Sequence, residues 1–168
     1  MINKPMDEKR WKRSAIRSMR RSRTATRALL SMLTPGEIRR PRTQEKWSIH
    51  DTLAHIVAWE EVAARRLESI RQKKYERLRF YDDMADTDAF NARAVARFRP
   101  LSFSALWKRA GEVRAGLIAA LRALPDDELE NEQHRFTVVQ WLPEFSWTHE
   151  RDHRKRIRKI IRTWNKLR

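Results

Sequence analysis

The sequence predicts an all-α protein, and three observations favour this class. Glycine is scarce, with 3 residues among 168, while alanine, leucine, arginine and glutamate, which favour helices, are common. Apolar residues recur at intervals of three and four along four long segments, as on the buried face of an amphipathic helix. Most connections between these segments are short. Together these features predict a four-helix bundle that forms a single domain over residues 1–168.

The first long helix is predicted over residues 7–33. Its apolar stripe runs from Trp11 to Leu33 in steps of three and four residues. The Thr-Pro-Gly sequence at residues 34–36 ends it, because proline and glycine both disfavour the interior of a helix.

The second long helix is predicted to begin at Ser48, where Asp51 three residues later forms a box-like cap. Its apolar stripe continues to Ile70. A long link follows, with an irregular stretch over residues 73–86 and a short helix over residues 88–98. The length of this link predicts a crossover connection between the second and third long helices.

The third long helix is predicted to start near Ser102 and to end at Leu124. The fourth begins somewhere between Thr137 and Pro143. Thr137 with Gln140 forms one candidate capping box, and Pro143 is the alternative as a first-turn proline. The sequence leaves both starts open.

Three histidines are the strongest functional signal in the chain. His149 and His153 lie one turn apart on one face, inside the apolar stripe of the fourth helix, and His55 lies beside the stripe of the second. Imidazoles on faces that point to a core are costly unless they are paired. Three converging neutral nitrogens suit a divalent metal and leave coordination positions open. We therefore predict a metal site, with three separate hydrogen-bonded histidines as the alternative.

Two motifs in the chain resemble the DinB/YfiT-like superfamily of metalloproteins. Residues 47–60 carry Trp-Ser, Leu-Ala-His-Ile and Trp-Glu in the order of its second-helix signature. Residues 148–153, Thr-His-Glu-Arg-Asp-His, resemble its fourth-helix pair of histidines. Residues 81–91 show a shorter likeness to the ClbS/DfsB branch, although this chain differs from ClbS-type members in keeping all three histidines.

The resemblance implies a four-helix bundle that holds a divalent metal, most often zinc or nickel, on His55, His149 and His153. The superfamily includes thiol-dependent transferases and isomerases. We therefore expect metal-assisted transfer or hydrolysis on a small molecule, either electrophilic or conjugated to a low-molecular-weight thiol, with a structural metal bundle without catalysis as another interpretation. Such a thiol is then a second cofactor. No catalytic residue is assigned. Bundles of this superfamily are often homodimers, and tryptophans expected on the surface favour a twofold homodimer here.

The net charge of +16 favours anionic partners. Much of the excess lies in residues 9–27 and 151–168. An alternative function is therefore a nucleic-acid-associated protective protein of ClbS type, and a simpler interpretation is a solvated arginine-rich surface. Because no helix carries a recognition motif, we expect nucleic-acid binding to be weak, salt-sensitive and non-specific.

The absence of cysteine excludes disulfides, thiolate metal sites and a cysteine nucleophile. No apolar stretch approaches the length of a membrane span, and none follows the charges at the amino terminus. We therefore expect a cytoplasmic protein with no membrane partner.

Other polar residues near the motifs are expected to have structural roles. His50 and His134 do not fit the ligand pattern and are predicted to be solvated or to cap a helix. Glu150 and Asp152 flank the ligand stripe and are predicted to orient a histidine or to remain solvated.

Two tryptophans and one acidic cluster are also interpreted as structural. Trp59 and Trp147 lie near the ligand positions and are expected to pack in the core, with a pocket wall as the alternative. The acidic cluster at residues 82–88 is expected to be a solvated loop with a helix cap. Its alternative is a lid over the substrate that includes Asn91.

Overall fold

The described part of the protein is built from helices. The computed structural model describes residues 7–41, 47–78, 83–133 and 135–166, and within these ranges it contains helices and no strand. The prediction of an all-α fold is confirmed. No helix among the described residues is long and apolar enough to cross a lipid bilayer.

Seven α-helices follow one another in these ranges, four of them long. In chain order they are α1 (Glu8–Leu30), α2 (Pro35–Arg39), α3 (Ile49–Arg71), α4 (Met84–Phe98), α5 (Phe103–Ala123), α6 (Val138–Phe145) and α7 (Trp147–Lys166). Short 3-10 turns at Tyr75–Arg77 and Asp126–Glu128 lie in the connections.

The predicted cap at the start of α3 is present. The hydroxyl of Ser48 accepts the backbone N–H of Asp51 at 3.0 Å, and the carboxylate of Asp51 accepts the backbone N–H of Ser48 at 3.1 Å. Helix α4 starts earlier than predicted, because Asp83 caps it by accepting the N–H of Asp86 at 2.6 Å. This agrees with the expectation of a helix cap in the acidic cluster, although Asp82 lies outside the described residues.

The fourth long helix of the sequence prediction is two helices, so the prediction of one continuous helix is wrong. Thr137 caps α6, and Pro143 lies inside α6 rather than at the start of a helix. The backbone leaves helical geometry at Ser146, with φ −136° and ψ −101°. The Ser146 hydroxyl donates to the carbonyl of Leu142 at 2.5 Å, so the side chain satisfies an acceptor that a continuous helix would give to the backbone.

Two apolar clusters at opposite ends of the molecule fix the directions of the long helices. One contains residues from the end of α1, the starts of α3 and α5 and the middle of α7, including Leu30, Leu53, Leu106 and Ile157. The other contains residues from the first half of α1, the ends of α3 and α5, and α6, including Met19, Leu67, Leu121 and Leu142. Helices α1 and α7 therefore run in one direction, and α3 and α5 in the other.

The long link between α3 and α5 is explained by the parallel directions of these two neighbouring helices. Helix α3 packs against α5 and α7, and α1 packs against the same two helices, an arrangement consistent with the predicted four-helix bundle. Because α3 and α5 are parallel, the chain between them must return along the bundle. This link, which contains α4, is the predicted crossover connection.

Candidate metal centre

Helices α3 and α7 bring the three predicted histidines together. Nε2 of His55 lies 2.9 Å from Nε2 of His149, and Nε2 of His153 lies 3.0 Å from the same atom. One ring nitrogen from each histidine lies within 4.8 Å of the other two. His55 is buried and the other two are half-buried, so the group is accessible from one side.

The spacing of these nitrogens fits a shared cation better than a set of hydrogen bonds. Nε2 of a neutral imidazole carries either one proton or one lone pair, so His149 satisfies only one of its two close neighbours by hydrogen bonding. A metal ion accepts lone pairs from all three. Two nitrogens that bind an ion at about 2.1 Å lie about 3.0 Å apart at the right angle of octahedral coordination and about 3.4 Å apart at the tetrahedral angle. The separations of 2.9 and 3.0 Å are near the first value.

Burial keeps two of the imidazoles neutral. It lowers the pKa of His55 to about 2, with smaller contributions from the neighbouring His149 and His153 and from Arg156. It also lowers the pKa of His149 to about 4, where Arg156 contributes further and Glu150 opposes the change. Both rings therefore present a lone pair at neutral pH, which is the form that binds metal.

Aromatic rings lie along one side of the triad. Trp59 follows His55 by one turn, with ring centroids 6.3 Å apart, and it packs against Phe90 at 4.7 Å and Phe145 at 4.9 Å. Its indole Nε1 donates to Oδ1 of Asn91 at 3.0 Å. Trp59 is therefore buried and also lies beside the histidine site. Its hydrogen bond to Asn91 places α4 next to this site.

The outer nitrogens of two imidazoles have no hydrogen bond of good geometry. The Nδ1 atoms of His55 and His149 are buried without such a partner among the described residues, although the Asn91 side chain interacts with His55 and opposes the lowering of its pKa. Metal-binding histidines usually donate this nitrogen to a carboxylate or carbonyl. Here the ring of His55 packs against two aromatic neighbours, with its centroid 5.0 Å from that of Trp47 and 6.3 Å from that of Trp59.

Four buried charged side chains, here called the charge layer, lie close to the triad. Two of them, Glu60 and Glu150, are also near His55 and His149 in the sequence. Arg23 in α1, Glu60 in α3, Arg114 in α5 and Glu150 in α7 contribute one charge from each long helix. Nη2 of Arg23 lies 2.9 Å from both carboxylate oxygens of Glu60, and its Nε lies 3.1 Å from Glu150. Arg114 donates to Glu60, and to Glu150 at 2.9 Å.

The charge layer corrects the expectation for Glu150. This side chain is fully buried and pairs with two arginines, so it neither remains solvated nor hydrogen-bonds a histidine. Burial alone would lower the pKa of Arg114, but the adjacent Glu60 and Glu150 outweigh it and raise this pKa. The sequence carried a signal for the layer, because Arg114 lies four residues after Ala110 on the apolar stripe, where an unpaired charge is costly.

The expectation that His50 is solvated or capping is wrong. Its side chain is 1% exposed, and its Nε2 lies 3.0 Å from the carbonyl oxygen of Leu101. The connection between α4 and α5 covers the first turn of α3, which the sequence did not indicate. His134 lies outside the described residues.

The remaining candidates have structural roles. Trp147 is half-buried and packs against Trp11, with centroids 6.4 Å apart, so it supports the core rather than the histidine site. Asp152 pairs with Lys155 at 2.9 Å on the surface, as expected for a solvated residue. All seven tryptophans are at least partly buried, which removes the argument from exposed tryptophans for a homodimer.

The fold and the triad define a helical protein with a candidate metal centre built on two of its long helices. The family model of the DinB superfamily matches residues 18–157, a range that contains all three histidines. The chain belongs to the DinB superfamily. No curated protein and no solved structure matches it significantly.

Proposed function

We propose that this protein binds a divalent metal, zinc or nickel, on His55, His149 and His153 and uses it in a transfer or hydrolysis reaction on a small molecule. The observation that carries the proposal is the meeting of three imidazole nitrogens around one point. Three protein ligands leave positions free for water or substrate, as in catalytic rather than structural sites. When bound, the metal would polarise a substrate oxygen or activate a nucleophile.

The surroundings of the triad favour an anionic group bound beside an apolar one. Trp59, Phe90 and Phe145 supply apolar surface that excludes water from one side. Arg156, two turns after His149, adds positive charge that is felt at His55 and His149. Asn91 holds the indole of Trp59 in place and thereby fixes the shape of this wall.

The proposal includes a low-molecular-weight thiol as a second cofactor, as the resemblance to the superfamily implies. The chain contains no cysteine, so any thiol chemistry requires a thiol from outside. A thiolate is a soft ligand that suits zinc, and the positive charge of Arg156 favours its ionised form. The substrate is then an electrophile that accepts the thiol, or a conjugate from which it is removed.

Metal analysis of protein purified without a metal-affinity column tests the proposal. Wild-type protein should contain stoichiometric zinc or nickel, whereas His149→Ala should lose most of it. The variant should keep the helical circular dichroism spectrum, because His149 is not part of either apolar cluster. Metal at a hundredfold excess over Kd should raise the free energy of unfolding of the wild type by about 2.7 kcal/mol. The melting temperature should rise accordingly.

A matched control separates loss of a ligand from loss of any histidine. His50→Gln removes a buried imidazole from the same helix as His55 and should leave the metal content unchanged. Stoichiometric metal in His149→Ala would refute the assignment of the ligands. Loaded protein should then be screened for thiol binding and thiol transfer, and the screen should be repeated with His149→Ala.

A further inference from the structure

We propose that the furrow between α1 and α5 is a binding site for a polyphosphate group, separate from the histidine site. Two cavities of about 590 and 520 Å³ lie along this furrow and share Arg20 and Arg122. Cavities of this size accommodate small molecules. The two shared residues place the cavities side by side along the furrow, and the two together are here called the trough.

The trough has a strong excess of positive charge. Its α1 side carries Lys9, Arg13, Arg17 and Arg20, and Arg122 faces them from α5. In the part of the chain that the structure describes, Asp126 is the only carboxylate that lines either cavity, and Lys12 neutralises it at 2.6 Å. These five side chains make no ion pair with a described residue, although Lys9 is close enough to Asp126 to help lower its pKa. Most of the positive charge is therefore uncompensated.

The trough differs in this respect from the charge layer beneath it. Arg23 and Arg114 line the second cavity, but their guanidinium groups are held by Glu60 and Glu150. The base of this cavity is therefore electrically balanced, and the net charge comes from the arginines at the rim. The cations at the rim repel one another in the free protein, and a bound multivalent anion reduces this repulsion.

The shape of the trough favours a chain of phosphates over a duplex nucleic acid. Residues from Lys9 to Arg20 span about 16 Å along α1, which is too long for one phosphate group. The trough is a concave surface lined from two helices, whereas a duplex is a wide convex cylinder. Guanidinium groups bind phosphate oxygens in pairs, which suits Arg13, Arg17 and Arg20, the arginines of α1 that line the first cavity.

The lining also indicates that the phosphates, rather than a nucleobase, are recognised. No aromatic side chain lines either cavity among the described residues, so the site lacks a surface on which a base can stack. The same phosphate chemistry is available from free inorganic polyphosphate or from a nucleoside triphosphate.

Calorimetry with sodium phosphate, sodium tripolyphosphate, adenosine triphosphate and a short DNA duplex at constant ionic strength tests the proposal. Tripolyphosphate should bind at least about tenfold more tightly than phosphate, because each added charged hydrogen bond gives about that factor. Equal binding of the two polyphosphates identifies the phosphate chain as sufficient, whereas markedly tighter binding of the nucleotide would refute the inference that the phosphates alone are recognised. A duplex that binds when tripolyphosphate does not would overturn the proposal.

Two triple variants of equal charge make the test specific. Arg13→Ala with Arg17→Ala and Arg20→Ala should weaken tripolyphosphate binding at least about tenfold and keep the metal content of the wild type. The control removes three cations from the exposed face of α7, at the other end of the bundle: Arg158→Ala, Lys159→Ala and Arg162→Ala. At about 0.15 M salt its effect should be about twofold or less, because distant surface charges are screened. Equal losses in the two variants would show a general charge effect and refute the site.

Discussion

Replacing Glu60 by glutamine tests how strongly the charge layer stabilises the fold. The substitution keeps the shape of the side chain and removes one of two buried negative charges. Arg23 and Arg114, which both bind Glu60 in the native protein, would then share Glu150 alone. The layer would carry an uncompensated positive charge in a place where the carboxylates are 0% exposed.

The expected loss is large relative to the stability of a protein of this size. Breaking a buried ion pair by removing one partner costs about 3–5 kcal/mol, out of a total of about 5–15 kcal/mol for a typical domain. One kcal/mol lowers the melting temperature of a 150–250-residue protein by about 2–4 °C. Glu60→Gln should therefore lower the melting temperature by about 6–20 °C.

The neighbouring residue provides a control of identical chemistry. Glu61 pairs with Arg97, and with Arg109 at 2.7 Å, but both arginines are about half exposed, with side-chain exposures of 54% and 47%. Partly solvated pairs contribute about 1 kcal/mol or less. Thermal unfolding by circular dichroism should show a far smaller decrease for Glu61→Gln than for Glu60→Gln.

A second variant distinguishes loss of charge balance from loss of packing. Combining Glu60→Gln with Arg114→Met restores neutrality and leaves Arg23 paired with Glu150. Because the two sites are coupled, the double variant should lose less stability than the sum of the single variants. Equal effects of Glu60→Gln and Glu61→Gln, or strict additivity in the double variant, would refute this account of the layer.

Three further predictions concern other parts of the fold. Burial lowers the pKa of His50, so below about pH 6.5 the unfolded chain binds a proton that the folded protein does not, and stability falls with acidification. His50→Gln should therefore reduce the slope of melting temperature against pH. An unchanged slope would contradict this. Ser48→Ala removes the cap of α3 and should lower the free energy of unfolding by about 1 kcal/mol, which lowers the melting temperature by about 2–4 °C. An unchanged melting temperature would show that the cap does not stabilise the protein. A twofold homodimer remains an expectation from the resemblance to the superfamily alone, because the tryptophans are not exposed. Light scattering at high concentration should then give twice the chain mass of 20.2 kDa, and a monomer mass would reject it.

The local pattern of the sequence was sufficient for the first three long helices and for the helical positions of the three histidines, but not for the break at Ser146. Periodic apolar residues and the cap at Ser48 are local signals, and the structure agrees with them. The separation of His149 and His153 by one turn likewise places both on one face without knowledge of any other helix. The convergence of His55 with them depends on the packing of α3 against α7, which the sequence predicts only as part of a bundle.

Features that depend on contacts between distant segments could not be predicted. His50 is buried because the chain after α4 passes over it, and nothing in its own helix indicates this. Glu150 pairs with arginines more than thirty residues away in sequence, so its proximity to His149 suggested the wrong role. The interruption at Ser146 arises from a side-chain hydrogen bond that competes with the backbone, where the sequence offered two equivalent starts.

The charge layer also restricts which bundles this sequence can form. Each long helix supplies a single charge to one level of the interior, and opposite charges meet only in the observed alignment. A slip of one helix by a turn moves its charge by about 5.4 Å, beyond the reach of its partners, and leaves buried ions without counter-ions. Apolar stripes alone tolerate such slips and reversed chain directions, because leucine packs nearly as well against one leucine as against the next. The four charges therefore select one alignment of the helices, and it is this alignment that brings His55 opposite His149 and His153.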